Sequence, residues 1–254
     1  MRVLVRLNAE RDAVYDPEYH HKLRGVIWRY LDDTPFEELH GTDDALPFVF
    51  SNPFPVGDIS EGDRRHVLIS SPHDALIEVL NERIESGDEF NIGELPFTVA
   101  DTSSFGVDVG EPGTVGQLTT ASGIYIPLKR DRWDEFGIDP DYNAEEIGWS
   151  PDYSLGLFRK RVRENLTWKH DNLFREYLDG PDDSDGMVFD DWSRQKVYSV
   201  DIPVTSDYEW TFIVSKWELG YQVRHNDHRR WLNLALDTGL GARNALGFGF
   251  VNND

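Results

Sequence analysis

Near the end of the sequence, the run Gly239-Leu240-Gly241-Ala242-Arg243-Asn244-Ala245-Leu246-Gly247-Phe248-Gly249 places four glycines within eleven residues, with Arg243 and Asn244 as its only polar side chains. A backbone so rich in glycine turns sharply and comes close to another surface. Such a loop can present bare N–H groups to phosphate oxygens. A dinucleotide-binding fold needs its glycines between a strand and a helix, with an acidic ribose partner about 20 residues on. The sequence reads only to Asp254, too few residues for that helix or that partner. A nucleoside-triphosphate loop ends Gly-Lys-Ser/Thr, whereas this one ends Gly-Phe-Gly. The alternation Leu246, Phe248, Phe250 predicts a final strand. The plain structural alternative is a tight turn before an edge strand.

Charge is the next constraint. The 254 residues carry 47 acidic against 25 basic side chains, a formal net charge of −22. A fold this acidic repels itself at low salt, but at molar salt the Debye length falls to ~3 Å and the repulsion is screened. This reads as adaptation to a salt-rich cytoplasm. An acidic surface ordinarily argues against a nucleic-acid ligand. In molar salt, however, counterion release contributes little, so binding would rest on local Arg groups, backbone donors and shape. The absence of Cys removes disulfides, thiolate nucleophiles and thiolate metal sites. No apolar run approaches the ~20 residues of a membrane span, and strand-like residues begin at Arg2 in place of a signal peptide. A soluble, cytoplasmic protein is expected.

The chain punctuates into two similar halves. Arg2–Asn8 alternates as a strand. Asp16 and Pro17 start a helix whose stripe is Leu23, Val26, Ile27, Tyr30 and Leu31, with His21, Arg24, Gly25 and Trp28 sharing its other face. Strands are predicted at 46–51, 66–70 and 91–101, with a second helix opened by Ser71-Pro72-His73-Asp74. Strand, helix, strand, strand, helix, strand is the ferredoxin-like arrangement. Gly110–Gly116 reads as a junction. Beyond it come a strand region at 117–128, a long helix from Ser150-Pro151 to Leu178, an acidic loop from Asp179 to Asp185, strands at 196–205 and 210–217, and a helix over 227–236. The same order thus appears twice. His225-Asn226-Asp227-His228 lacks a third ligand at metal spacing, and the acidic loop lacks the calcium-loop pattern.

The glycine-rich run resembles the C-terminal motif G-x-G-x-x-x-x-x-G-F-G of the CRISPR repeat-processing endoribonucleases of the RAMP superfamily, and the resemblance extends over nearly the whole chain. It implies an α+β protein of two tandem ferredoxin-like (RRM-like) domains: 1–112 carrying a catalytic histidine, and 113–254 ending in an RNA-binding loop. It implies a metal-independent endoribonuclease without cofactor. CRISPR precursor RNA would be cut within its repeats by 2′-OH attack, leaving 2′,3′-cyclic phosphate and 5′-OH ends.

Aligned on Tyr19, Leu23, Gly25, Ile27 and the strand Phe48–Ser51, the resemblance puts the catalytic histidine at His40. An imidazole with an ordinary pKa near ~6.5 suits that proton transfer. Two positions depart from the family pattern. Trp28 stands where relatives often carry a tyrosine, and Asp43, Asp44 and Leu46 occupy the region of a common lysine. Trp28 can stack on a base but moves no protons, which leaves His21 and Arg24 as candidates to assist His40. RNA contact is expected from Gly239, Gly241, Gly247 and Gly249, from Arg243 and Asn244, and from the basic runs through Lys129, Arg130, Arg159 and Arg163. Repeat RNA is the expected partner. A non-catalytic relative that binds repeat RNA as a subunit of an effector complex is the alternative; a small-molecule-binding ferredoxin-like protein is a third, resting on fold alone.

Overall fold

A computed structural model describes residues 1–16, 19–39, 48–138, 144–171, 188–205 and 208–253. The first strand, β1 (Arg2–Ala9), buries Val3, Val5 and Leu7 completely on one face, as period-two alternation requires. Helix α1 (Tyr19–Leu31) turns Leu23, Ile27 and Leu31 into the same core. The unit continues through β2 (Val49–Phe50), β3 (Arg64–Ser70), α2 (Asp74–Arg83) and β4 (Phe97–Phe105). Its antiparallel sheet runs β2-β3-β1-β4, with Val5 opposite Val67 and Val3 opposite Ile69. That is the ferredoxin-like order.

The second half comprises β5 (Val115–Thr120), β6 (Ile124–Tyr125), β7 (Pro127–Lys129), α3 (Trp133–Phe136), β8 (Glu146–Gly148), α4 (Leu155–Lys169), β9 (Asp191–Thr205), β10 (Tyr208–Gln222), α5 (Asn226–Thr238) and β11 (Val251–Asn253). Strand β10 pairs with β5 at Glu218–Gln222, with β6 at Val214–Ser215, and with β9 along nearly its whole length. Strand β11 pairs with β5. Taking β5, β9, β10 and β11 as the four strands gives the order β11-β5-β10-β9, so the arrangement of the first half recurs. The pair β7-β8 and the short α3 are inserted between its first strand and first helix. The protein is α+β with two ferredoxin-like units in tandem.

Several boundaries move from their sequence expectations for local reasons. The region 117–128 breaks into three short strands, with gaps at 121–123 and 126; at Gly123 the chain passes so close to Val214 and Tyr198 that a Cβ would overlap them. Strand β4 begins only at Phe97, since Ile92 and Leu95 bridge each other across a turn. The helix expected from Ser150 is capped instead by Ser154, whose Oγ accepts from the Leu157 N–H at 3.1 Å; it runs as an α-helix to Lys169 and as a π turn at 170–171, and its expected end at Leu178 lies outside the described residues. In α2 the residue before the first turn is His73, without a side-chain cap, while Ser71 Oγ accepts from the His73 N–H at 3.0 Å. Residues expected as the final strand form instead a 3-10 turn at Asn244–Leu246 followed by turns, and β11 starts at Val251. Pro17 and the acidic loop lie outside the described residues.

Each unit has its own large apolar core, and the segment 248–250 joins them. Phe250 is fully buried against Val49 and Leu68 of the first sheet, while Phe248 packs with Tyr125, Phe212 and Val214 of the second. Arg2 of β1 reaches across the same seam. Its Nη1 donates to Asn252 Oδ1 at 2.7 Å and its Nη2 to the carbonyls of Val251 and Leu236 at 2.6 and 3.0 Å, over the ring of Phe250. A guanidinium only 2% exposed is tolerable because carbonyl acceptors replace its water.

Candidate functional site

The glycine loop is folded inward and mostly buried. Gly247 has φ +78 and Gly249 φ +71, and a Cβ at either would overlap another group: the Phe50 ring for Gly247, the Leu240 carbonyl for Gly249. These glycines let the loop lie against β2 and against itself. The amides expected to cradle phosphate are largely engaged inside the fold: Gly239 N–H donates to Ala235 O, Gly247 N–H to Asn244 O, and Gly249 N–H to Gly123 O, at 2.9, 2.7 and 2.9 Å. Gly241 is likewise buried, packed on the Tyr125 carbonyl. Asn244 is 7% exposed, and its Nδ2 donates to the carbonyls of Leu240 and Phe248, so it staples the loop rather than facing a ligand. Lys169 adds a second clamp, its buried Nζ donating to Gly239 O at 2.9 Å.

Arg243 is the exception. It adopts the left-handed conformation, φ +60, and its side chain is 43% exposed. The guanidinium stands over the Trp210 ring at 5.5 Å and 3.8 Å from Glu146, whose Oε1 accepts from the Tyr125 hydroxyl at 2.9 Å.

Helix α1 packs directly on this loop. His20, which sequence reasoning passed over, is 5% exposed; its Nδ1 lies 2.6 Å from Leu246 O and its ring stacks on Tyr19 and leans on Phe248. Burial drives its pKa down to about 4, with the Leu246 carbonyl opposing, so it is a neutral structural bridge. Its partner is 226 residues away, a contact no local pattern announces.

Next on the helix, His21 is half-buried, and among the described residues its Nδ1 finds no hydrogen-bond partner. One turn along, Arg24 is half-buried; burial first, and then the positive charge of Arg243, hold its pKa below the usual value. Among the described residues no carboxylate pairs with Arg24. In a protein of net charge −22, two guanidinium groups whose charges oppose each other are a local concentration of positive charge, offset in part by Glu146 beside Arg243.

Trp28 does not share that face. It is 4% exposed and meets Phe48 edge-on, which makes it part of the first core and withdraws it as a stacking platform. His40 lies outside the described residues. Leu39 before it packs against the first core, as does Ala245 of the glycine loop.

The basic runs are mostly engaged with their surroundings. Arg130 lies over Trp133 and Arg159 over Trp192. Arg132, Lys160 and Arg161 are ion-paired with Glu135 and Glu164. Lys129 and Arg163 stand exposed on the second unit. His225 caps α5 by accepting from the His228 N–H, and His228 meets the Val188 carbonyl, a structural use of that pair.

Two ferredoxin-like units closed by a glycine-rich loop define a tandem ferredoxin-like protein, with exposed Arg243 on the loop and His21 and Arg24 on the helix packed against it. The description of CRISPR associated protein Cas6, C-terminal, matches residues 119–253. CRISPR-associated endoribonuclease Cas6 of Haloferax mediterranei is 43% identical over 252 residues, 99% of this chain and 93% of the relative. CRISPR-associated endoribonuclease Cas6 2 of Methanocaldococcus jannaschii is 28% identical across 99% of both. Among solved structures, a Cas6-related protein from Pyrococcus furiosus superposes with a TM-score of 0.73 at 20% identity, covering 100% of this chain and 98% of that one. A RAMP protein that binds different RNA substrates gives 0.71 at 19%, covering 100% and 99%. The last two likenesses are of fold. This chain belongs to the Cas6 family of CRISPR-associated endoribonucleases.

Proposed function

We propose that the protein cuts CRISPR precursor RNA within its repeats, in a salt-rich cytoplasm, by a metal-independent transesterification centred on the seam between residues 1–112 and 113–254. The observation that carries this reading is the meeting of half-buried Arg24 and exposed Arg243 on the seam of a chain of this family, where among the described residues no carboxylate pairs with Arg24 and only Glu146, at 3.8 Å, stands near Arg243. Attack of a ribose 2′-oxygen on the adjacent phosphorus needs a base for the 2′-OH, an acid for the departing 5′-oxygen, and donors for charge gathering on the phosphoryl oxygens. Arg24 and Arg243 fit the last role. Guanidinium forks match phosphate geometry and stay charged at any working pH. His40, the family's histidine by alignment, fits the proton transfer, with His21 as its partner. Lys129 and Arg163 extend the cationic surface for the flanking strand.

The test is incubation with repeat RNA in molar KCl and EDTA. One cut per repeat with 2′,3′-cyclic phosphate and 5′-hydroxyl ends is expected, abolished in His40→Ala while binding holds within a few fold. Tight binding without cutting would favour instead a repeat-binding subunit of an effector complex.

A further inference from the structure

Five of the eight tryptophans, Trp28, Trp133, Trp149, Trp217 and Trp231, are at most 6% exposed. Trp210 on β10 is 42% exposed. An indole left this open beside a ligand site marks a surface that something covers. Its setting is ordered. Phe212 meets its ring edge-on at 6.1 Å, and Phe212 packs in turn on Tyr125 at 4.9 Å and on Phe248 of the glycine loop at 5.3 Å. An aromatic chain therefore fixes Trp210 relative to the loop, and the Arg243 guanidinium stands over the ring at 5.5 Å. A nucleotide presents an anion and a flat π-surface on one short tether. Arg243 and Trp210 present the complements of both, the guanidinium standing over the indole.

We infer that Trp210 is the stacking platform for an unpaired nucleobase adjoining the phosphate that Arg24 and Arg243 hold. This rests on the reading of that pair as the scissile-phosphate site and adds to it a subsite for one splayed base. Because every base has a π-face, the platform selects for an unpaired base at that position rather than for its identity. The repeat must therefore leave at least one nucleotide beside the cut outside any helix.

Repeat RNAs carrying a single abasic ribose at successive positions around the cut, titrated against wild type, Trp210→Ala, Trp210→Phe and the control Trp168→Ala, test this. Trp168 is equally exposed, at 44%, but stands on α4. One abasic position beside the cut should weaken wild-type binding about tenfold, Trp210→Ala should weaken intact RNA to the same degree, and the two together should lose no more than either alone. Trp210→Phe should retain most of the affinity, and Trp168→Ala all of it. Losses that multiply, no sensitive position beside the cut, or an equal loss in Trp168→Ala would overturn the platform. If wild type cuts intact RNA under those outcomes, only the platform fails; if intact RNA is neither bound nor cut, the parent reading falls with it.

Discussion

Gly249→Ala separates two explanations of the glycine loop, as a device for closing the fold or as a row of amides for phosphate. At φ +71 an alanine sits in the left-handed region, which costs roughly 1–2 kcal/mol. Its Cβ would stand 2.9 Å from the Leu240 carbonyl carbon and closer still to the oxygen, so the two strands of the loop must part. Parting them breaks the Leu240 N–H to Gly249 O and Gly249 N–H to Gly123 O bonds, both 2.9 Å, at about 1 kcal/mol each. Displacing the flanking Phe248 and Phe250 from a packed seam adds about 1–3 kcal/mol.

The sum is about 5 kcal/mol, a large share of a typical domain's stability. For a chain of this size that corresponds to a fall of about 10–20 °C in Tm. Arg243→Ala, by contrast, removes a half-exposed side chain paired at 3.8 Å and should leave Tm within about 3 °C. Thermal unfolding in molar KCl, followed by RNA binding on the same samples, decides the matter. A Gly249→Ala protein that melts like wild type yet no longer binds repeat RNA would refute the structural account and restore the amides as ligands.

Three further outcomes follow from the same geometry. Arg243→Ala should weaken repeat RNA about tenfold, whereas Arg24→Gln should slow single-turnover cleavage about 100-fold with binding changed only a few fold. Gly25→Ala on α1, where an added Cβ meets nothing within 4 Å, should stabilise the protein by about 0.5–1 kcal/mol and raise Tm by about 1–4 °C. Burial holds the Lys169 pKa down at about 7. Between that value and its ordinary 10.5 the unfolded chain binds more protons than the folded one, so stability from this group rises with pH and is lost as pH falls towards 7. Denaturant titrations from pH 7 to 9 should show that rise in wild type and a flatter profile in Lys169→Met.

What could be read from residues alone was set by short-range pattern. The alternation in β1, the stripe through Leu23, Ile27 and Leu31, and the repeated element order carried both ferredoxin-like units, because each depends on neighbours a few positions apart. The glycines announced a close approach but not its object. That object is Phe50 for Gly247 and the Leu240 carbonyl for Gly249, which only the closed chain supplies. Trp28 was misplaced because it borders both faces of α1, and a large apolar ring at a border turns inward when a pocket such as that beside Phe48 is there to take it. Trp210 carried no motif at all. Its meaning comes from Arg243, which reaches it through the fold and not through the sequence.

The reach of Arg2 into the last strand has a mechanical outcome. A cation from the first strand, gripping carbonyls at positions 236 and 251 above an aromatic ring, ties the first sheet to the last strand and so resists parting of the two units at that seam. An enzyme joined in this way presents a preformed bed.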